Sequence, residues 1–125
     1  MLIDTSKSER LEHPLEKGQW VEIRYLTAGE MDEARDVRIK KVLDQWGDAI
    51  MGAKGGQRAV DDSIEIRAQA YDATVLLSYA ITSWSYEAPV NPENVKRLDG
   101  ATRDWLVEEV VKRNTRPLAK QKNFR

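Results

Sequence analysis

Cysteine is absent from the 125-residue chain, and histidine occurs once, at His13. The lack of cysteine excludes disulfide bonds and thiolate metal sites. His13 stands beside Pro14 without a second imidazole, so we interpret it as a surface or turn residue and not as a metal ligand. The lack of cysteine excludes a Cys-His set, and we assemble no Ser-His-Asp set from the sequence. We therefore predict that the protein is not an enzyme and holds neither a metal nor another cofactor.

Long hydrophobic runs are also missing. No segment approaches the roughly 20 apolar residues that a membrane-spanning helix needs. The first residues lack the basic and then apolar pattern of a signal peptide. An apolar fraction of 41% with a charged fraction of 33% is typical of a soluble domain. We expect a cytoplasmic protein without a membrane partner.

Acidic residues are missing from one end of the chain. Residues 111–125 carry six basic side chains and no acidic one, and the net charge of −1 for the whole chain hides this asymmetry. A basic tail on an acidic body suggests contact with an acidic partner surface, including a second copy, and a solvated end is the alternative. The isoelectric point of about 5.9 and the carboxylates of the last predicted helix disfavour nucleic acid as a partner.

The most apolar part of the chain is the segment 75–90. Residues 75–81 are apolar or weakly polar on every helical face, which indicates burial from more than one side. We predict one central helix that is capped at residues 61–63 and runs to about Ser83. Trp84 and Tyr86 follow, before Pro89 forbids further helix. Both aromatic residues are interpreted as core or as interface.

Other helices are predicted from their start signals. Thr27 and Glu30 form a capping-box pattern, and Asn91 precedes a proline at a first helical position. Four of the seven glycines lie in residues 47–60, which predicts a flexible linker there. Besides the central helix, the predicted helices cover about 28–46, 92–98 and 101–114.

One strand is predicted, at residues 20–26, because apolar and polar side chains alternate there. A short arm at 11–15 or another subunit would pair with it. Residues 1–12 are expected to form a flexible arm. The predicted fold is mainly α: a domain of three to four helices with an N-terminal β-strand or hairpin over residues 13–114. The basic tail is placed at 115–125.

Two groups of sequence segments resemble parts of the tail assembly chaperones of long-tailed, siphovirus-type bacteriophages. The first is LSYAITSWSYEAPV at residues 77–90, followed by PENV at 92–95 and by Leu98. In such chaperones an apolar helix ends in a Ser-Trp-Ser-aromatic step, followed by Pro-Val and a short helix that contains Asn. The second is GQWVEIR at residues 18–24, leading into LTAGE at 26–30. It is similar to the opening of these proteins.

The resemblance implies a non-enzymatic role in viral morphogenesis. Such chaperones coat the long tape-measure protein, keep it soluble and recruit the tail tube subunits that polymerise around it. They are largely helical, self-associate in the host cytoplasm and are absent from the mature virion. In many of these phages a ribosomal frameshift yields an extended product. This chain would be the short form, with the extension beginning near residues 120–125.

The expected partners are thus the tape-measure protein, the tail tube protein and further copies of the chain. Aromatic or apolar residues of the chaperone would shield an apolar stripe on the tape-measure protein from water. The basic tail would supply further contacts. The candidate partner-binding residues are Trp20, Tyr25, Trp84, Tyr86, Lys120, Lys122 and Arg125. Two alternatives stay open: a structural tail or head-tail connector subunit of the virion, and a small DNA-binding regulator.

Overall fold

A computed structural model of the protein describes residues 1–52 and 64–115. Within these ranges the chain forms a three-stranded antiparallel sheet, in the order β1-β2-β3, and five helices. The elements in chain order are β1 (Ser8–Glu12), β2 (Trp20–Arg24), α1 (Ala28–Gly52), α2 (Ile64–Ala68), α3 (Ala73–Ala80), β3 (Ile81–Trp84), α4 (Pro92–Val95) and α5 (Gly100–Asn114). The predicted mainly α fold class is wrong, because the fold is mixed α/β.

The third strand explains this error. The predicted central helix ends at Ala80, and the next residue, Ile81, is already extended with φ −78° and ψ 119°. Residues 81–84 then pair with β2, matching Val21 with Trp84 and Ile23 with Ile81 around an irregularity in the register. A short apolar run fits a buried strand as well as a helix. The free edge of β2 decides in favour of the strand, because an unpaired edge needs backbone partners.

The N-terminal hairpin supplies the other neighbour of β2. β1 pairs antiparallel with β2, from Ser8 opposite Arg24 to Glu12 opposite Trp20. The connecting turn contains Gly18 at φ 83°, a left-handed conformation that favours glycine. A hairpin partner within the chain was one of the two expectations, although it lies at 8–12 and not at 11–15. Residues 8–12 are therefore part of the sheet and not of a flexible arm.

The predicted helix of residues 63–83 is also interrupted before α3. α2 ends at Ala68, and Asp72 caps α3 by accepting a hydrogen bond from the Val75 N–H at 3.0 Å. Burial alone would raise the pKa of Asp72, but hydrogen bonds from Lys41 and from the Val75 N–H hold it below its ordinary value. Asp72 also donates its backbone N–H to the Ala34 carbonyl. This turn therefore anchors α1 against α3.

The helix starts read from local signals are confirmed. Thr27 N–H donates to Glu30 Oε1 at 2.9 Å, and Glu30 N–H donates to Thr27 Oγ1 at 3.2 Å, which is the reciprocal capping box. Asn91 caps α4 through the Asn94 N–H at 2.8 Å. The predicted helix end at residue 46 and the predicted linker are wrong for residues 47–52, because α1 continues through Gly47 to Gly52. One interior glycine costs only about 1 kcal/mol. The rest of the predicted linker, 53–60, and the cap at 61–63 lie outside the described residues.

The core lies between the inner face of the sheet and the helices. Helix α3 packs against α1, α4 and α5, so the predicted centre of the core is confirmed for its helical half. Residues with side chains exposed by no more than 1% come from β2, α1, α3 and α5: Val21, Ala34, Leu76, Leu77, Ala80, Leu106, Val110 and Val111, together with the polar Thr102. No helix of residues 1–52 or 64–115 is long and apolar enough to cross a membrane.

An ion pair fixes the start of α1 to the end of β2 and makes stability depend on pH. Arg24 donates to both carboxylate oxygens of Glu30, at 3.0 and 2.8 Å. Hydrogen bonding from Arg24 is the largest of the effects that hold the pKa of Glu30 below its ordinary value of 4.5. Since the carboxylate is favoured in the folded state, its stabilising effect is complete above that value. It is lost as the pH falls through the lower folded pKa.

We expect Glu30→Gln to lower the free energy of unfolding by about 1–2 kcal/mol at neutral pH, because glutamine keeps the capping geometry but not the charge. The difference from the wild type should shrink as the pH falls below about 4.5. Urea unfolding followed by circular dichroism over a pH series measures it. The exposed Glu12→Gln variant serves as the control and should match the wild type throughout. A wild-type advantage that is independent of pH would contradict the charge-based account.

Candidate partner-binding surfaces

Trp84 ends strand β3 and belongs to the core. Its side chain is 8% exposed, and its indole Nε1–H donates to the Ala88 carbonyl at 2.6 Å. The indole therefore closes the loop after β3 as well as filling space beneath it. A tryptophan held in this way cannot be the main contact of an exposed interface.

Tyr86 lies at the surface beside Trp84. The two rings meet edge to face, with centroids 5.6 Å apart and an interplanar angle of 72°. The Tyr86 hydroxyl donates to Glu16 Oε1 at 3.3 Å. Burial, and then the negative charges of Glu16 and Asp99, raise the pKa of the Tyr86 phenol. Tyr86 is thus half-buried in a negative environment.

These two rings form the floor of a cleft of about 520 Å³, here called the aromatic cleft. It lies between the loop after β3, helix α4 and the start of α5. Leu98 and Ala88 add apolar surface, and the rim is polar. The polar rim residues are Glu16, Glu87, Asn94, Arg97 and Asp99.

A buried histidine supports one wall of the aromatic cleft. Both Leu15 N–H and Glu16 N–H donate to His13 Nδ1 at 3.0 Å, so the ring proton is on Nε2. His13 Nε2–H then donates to Thr102 Oγ1 at 2.8 Å, and the Thr102 hydroxyl donates to Asp99 Oδ1 at 2.6 Å. This chain of hydrogen bonds fixes the turn that carries Glu16 to the first turn of α5.

The interpretation of His13 as a surface or turn residue holds for the turn and not for the surface, because its side chain is only 9% exposed. Its position in a turn is confirmed, since it follows β1 directly. The ring also packs against Trp105, with centroids 5.1 Å apart. The burial comes from α5, 89 residues further along the chain. No sequence pattern near His13 predicts its contact with α5.

Neither of the other two aromatic candidates lines the aromatic cleft. Trp20 is half-buried at the start of β2, where the guanidinium of Arg10 lies 3.8 Å from the ring centroid. Tyr25 follows the far end of β2 and is 49% exposed. The four predicted aromatic contacts therefore do not form one surface. Lys120, Lys122 and Arg125 lie outside the described residues.

A second surface was not singled out from the sequence. Ile39 and Leu43 lie one helical turn apart on α1 and are 48% and 47% exposed. Arg38 and Lys41 of the same helix instead bond to the turn before α3, through the Gln69 carbonyl and the Asp72 carboxylate. Ile39 and Leu43 thus stand on another side of α1, and we call the pair the α1 stripe. Their spacing of four residues was the available signal.

Trp84→Ala should lower the free energy of unfolding by about 3–5 kcal/mol, because it leaves a large cavity and removes the bond to Ala88. Tyr25→Ala, an aromatic truncation at an exposed site, should cost less than about 1 kcal/mol and is the matched control. Urea unfolding followed by far-ultraviolet circular dichroism measures both. Equal losses in the two variants would show that Trp84 is not a core residue.

No family model, no curated protein and no solved structure matches this chain. The described part of the chain offers the aromatic cleft and the α1 stripe as candidate surfaces for a partner.

Proposed function

We propose that the protein is a tail assembly chaperone of a long-tailed bacteriophage. It binds the tape-measure protein during assembly, keeps it soluble and recruits tail tube subunits to it. The order and spacing of the sequence segments at 18–30 and 77–98, which resemble those of such chaperones, support this role. The exposed α1 stripe is the main structural support for this proposal, and it is the surface that contacts the tape-measure protein.

The α1 stripe has the form of a helix-pairing surface. It lies on a 25-residue helix, which is about 37 Å long. Two apolar side chains at i and i+4 present a continuous ridge that packs into the groove of a second helix. A long helical tape-measure protein with an apolar stripe offers such a groove along its length.

The size of the α1 stripe suits temporary binding. Burying a large aliphatic side chain fully contributes about 1.5–3 kcal/mol, and these two side chains are already half-covered in the free protein. Two such side chains give a weak contact on a single copy. A weak contact repeated along the partner can cover its stripe. Tube subunits can then displace each copy in turn.

Helices α4 and α5 do not favour the DNA-binding alternative. The side of α5 that faces solvent carries Asp104, whose side chain is 61% exposed and pairs with Arg103. Glu108, one turn further on, adds a second carboxylate to this helix. Phosphates would be repelled by both groups.

Replacing the α1 stripe with polar residues should weaken binding of the tape-measure protein without unfolding the chain. We expect Ile39→Gln/Leu43→Gln to reduce the amount of soluble tape-measure protein in co-expression by roughly ten-fold. The control is Lys40→Gln/Asp44→Gln, which changes two exposed residues of the same helix at the same spacing and leaves the net charge unaltered. Circular dichroism checks that both variants fold.

Two results would overturn the proposal. Wild-type amounts of soluble tape-measure protein with the α1 stripe variant would show that this surface is not the contact. Detection of the protein in purified virions by mass spectrometry would instead assign it as a structural tail or connector subunit.

A further inference from the structure

The charges around the aromatic cleft are unbalanced. Its lining contains three carboxylates, on Glu16, Glu87 and Asp99, against the single guanidinium of Arg97. That guanidinium already donates to Asn94 Oδ1 at 3.1 Å. Hydrogen bonding from Thr102 lowers the pKa of Asp99, so this carboxylate is charged at neutral pH. The rim therefore favours a cationic occupant above an apolar floor.

The chain itself contains a segment of that chemistry. Residues 116–125, which follow α5 and lie outside the described residues, read RPLAKQKNFR. They carry four basic side chains and no acidic one, and Leu118 and Phe124 are apolar. An aromatic floor with a carboxylate rim matches both kinds of side chain. The matching charges are thus on the same polypeptide.

We propose that the aromatic cleft binds the basic C-terminal segment, residues 116–125, of a second copy of the chain. Phe124 or Leu118 covers the exposed part of the Tyr86 ring, and the lysines and arginines pair with Glu16, Glu87 and Asp99. The contact goes beyond the chaperone role, since it uses a different surface from the α1 stripe and a different partner.

The reach of the segment favours a second copy over the same molecule. The cleft lies at the start of α5 and the segment leaves from its end, a separation of about 22 Å for 15 residues. A fully extended chain advances about 3.3–3.6 Å per residue. Lys120 therefore reaches only about 17 Å beyond Thr115. Within one molecule Arg116 and Lys120 would fall short of the cleft, whereas a second copy can offer all four cations.

Such a contact joins two different surfaces, so it is heterologous. Each copy would offer one cleft and one basic segment, and unless the rotation closes a ring, copies add head to tail. A head-to-tail row places successive copies at a constant spacing. A protein that covers a long partner needs such a repeat.

The experiment measures self-association of the full chain by sedimentation velocity over a range of concentrations. The cleft variant is Glu16→Gln/Glu87→Gln, which spares Asp99 because this residue caps α5. The segment variant is Lys120→Gln/Lys122→Gln. Glu12→Gln/Glu93→Gln removes two exposed carboxylates outside the cleft and is the matched control.

We expect the cleft and segment variants each to raise the dissociation constant by roughly ten-fold, and the control to leave it unchanged. Raising the salt concentration from about 0.05 M to about 0.5 M should weaken association of the wild type. Mixing the two variants should give dimers but no larger assemblies. The intact segment of the cleft variant can bind the intact cleft of the segment variant, and no second intact pair remains.

Three outcomes would overturn the proposal. A wild-type chain that stays monomeric at all concentrations has no such contact. A segment variant that associates like the wild type shows that another surface joins the copies. Association that is unchanged in the cleft variant assigns the segment to a different partner. None of these results touches the α1 stripe, so the chaperone proposal would stand or fall separately.

Discussion

The pairing of β3 with β2 determines where the rest of the chain can lie. It turns the polypeptide sharply at Ile81, so that α3 lies against the sheet and the following loop starts beside the N-terminal hairpin. Ser85 Oγ accepts a hydrogen bond from the Trp20 N–H at 2.9 Å, which continues this pairing past the end of the strand. Without β3, the loop after it would not meet the turn that carries Glu16. The aromatic cleft would then not exist.

The features that the sequence predicted correctly depend on residues that are close together in the chain. The capping box at Thr27 and the Asn91 cap depend on side chains within three residues of the groups they satisfy, so their patterns predicted the helix starts correctly. The boundary between α3 and β3 depends on Val21 and Ile23, about 60 residues earlier in the chain. An apolar run has no periodicity that distinguishes a buried helix from a buried strand. The mistake therefore arose where a distant partner decides the backbone conformation.

The candidate surfaces show the same division. Residue type singled out Trp84 and Tyr86 as candidate contacts, and the structure places Trp84 in the core and Tyr86 at the aromatic cleft. The burial of His13 was not predicted, because the Thr102 hydroxyl that accepts its hydrogen bond belongs to α5. The α1 stripe was within reach of sequence reasoning through its spacing of four.

The placement of the two surfaces decides how they can act together. The α1 stripe is apolar and is carried by a helix that contacts the core mainly through α3, whereas the aromatic cleft is charged and is bounded by α4 and α5. Occupation of one therefore does not block the other. Association through charges depends on salt and on the concentration of the chain, while association through apolar groups depends on the exposed stripe of the partner. A protein with both would form rows more readily where its partner is present, because the partner raises the local concentration of copies.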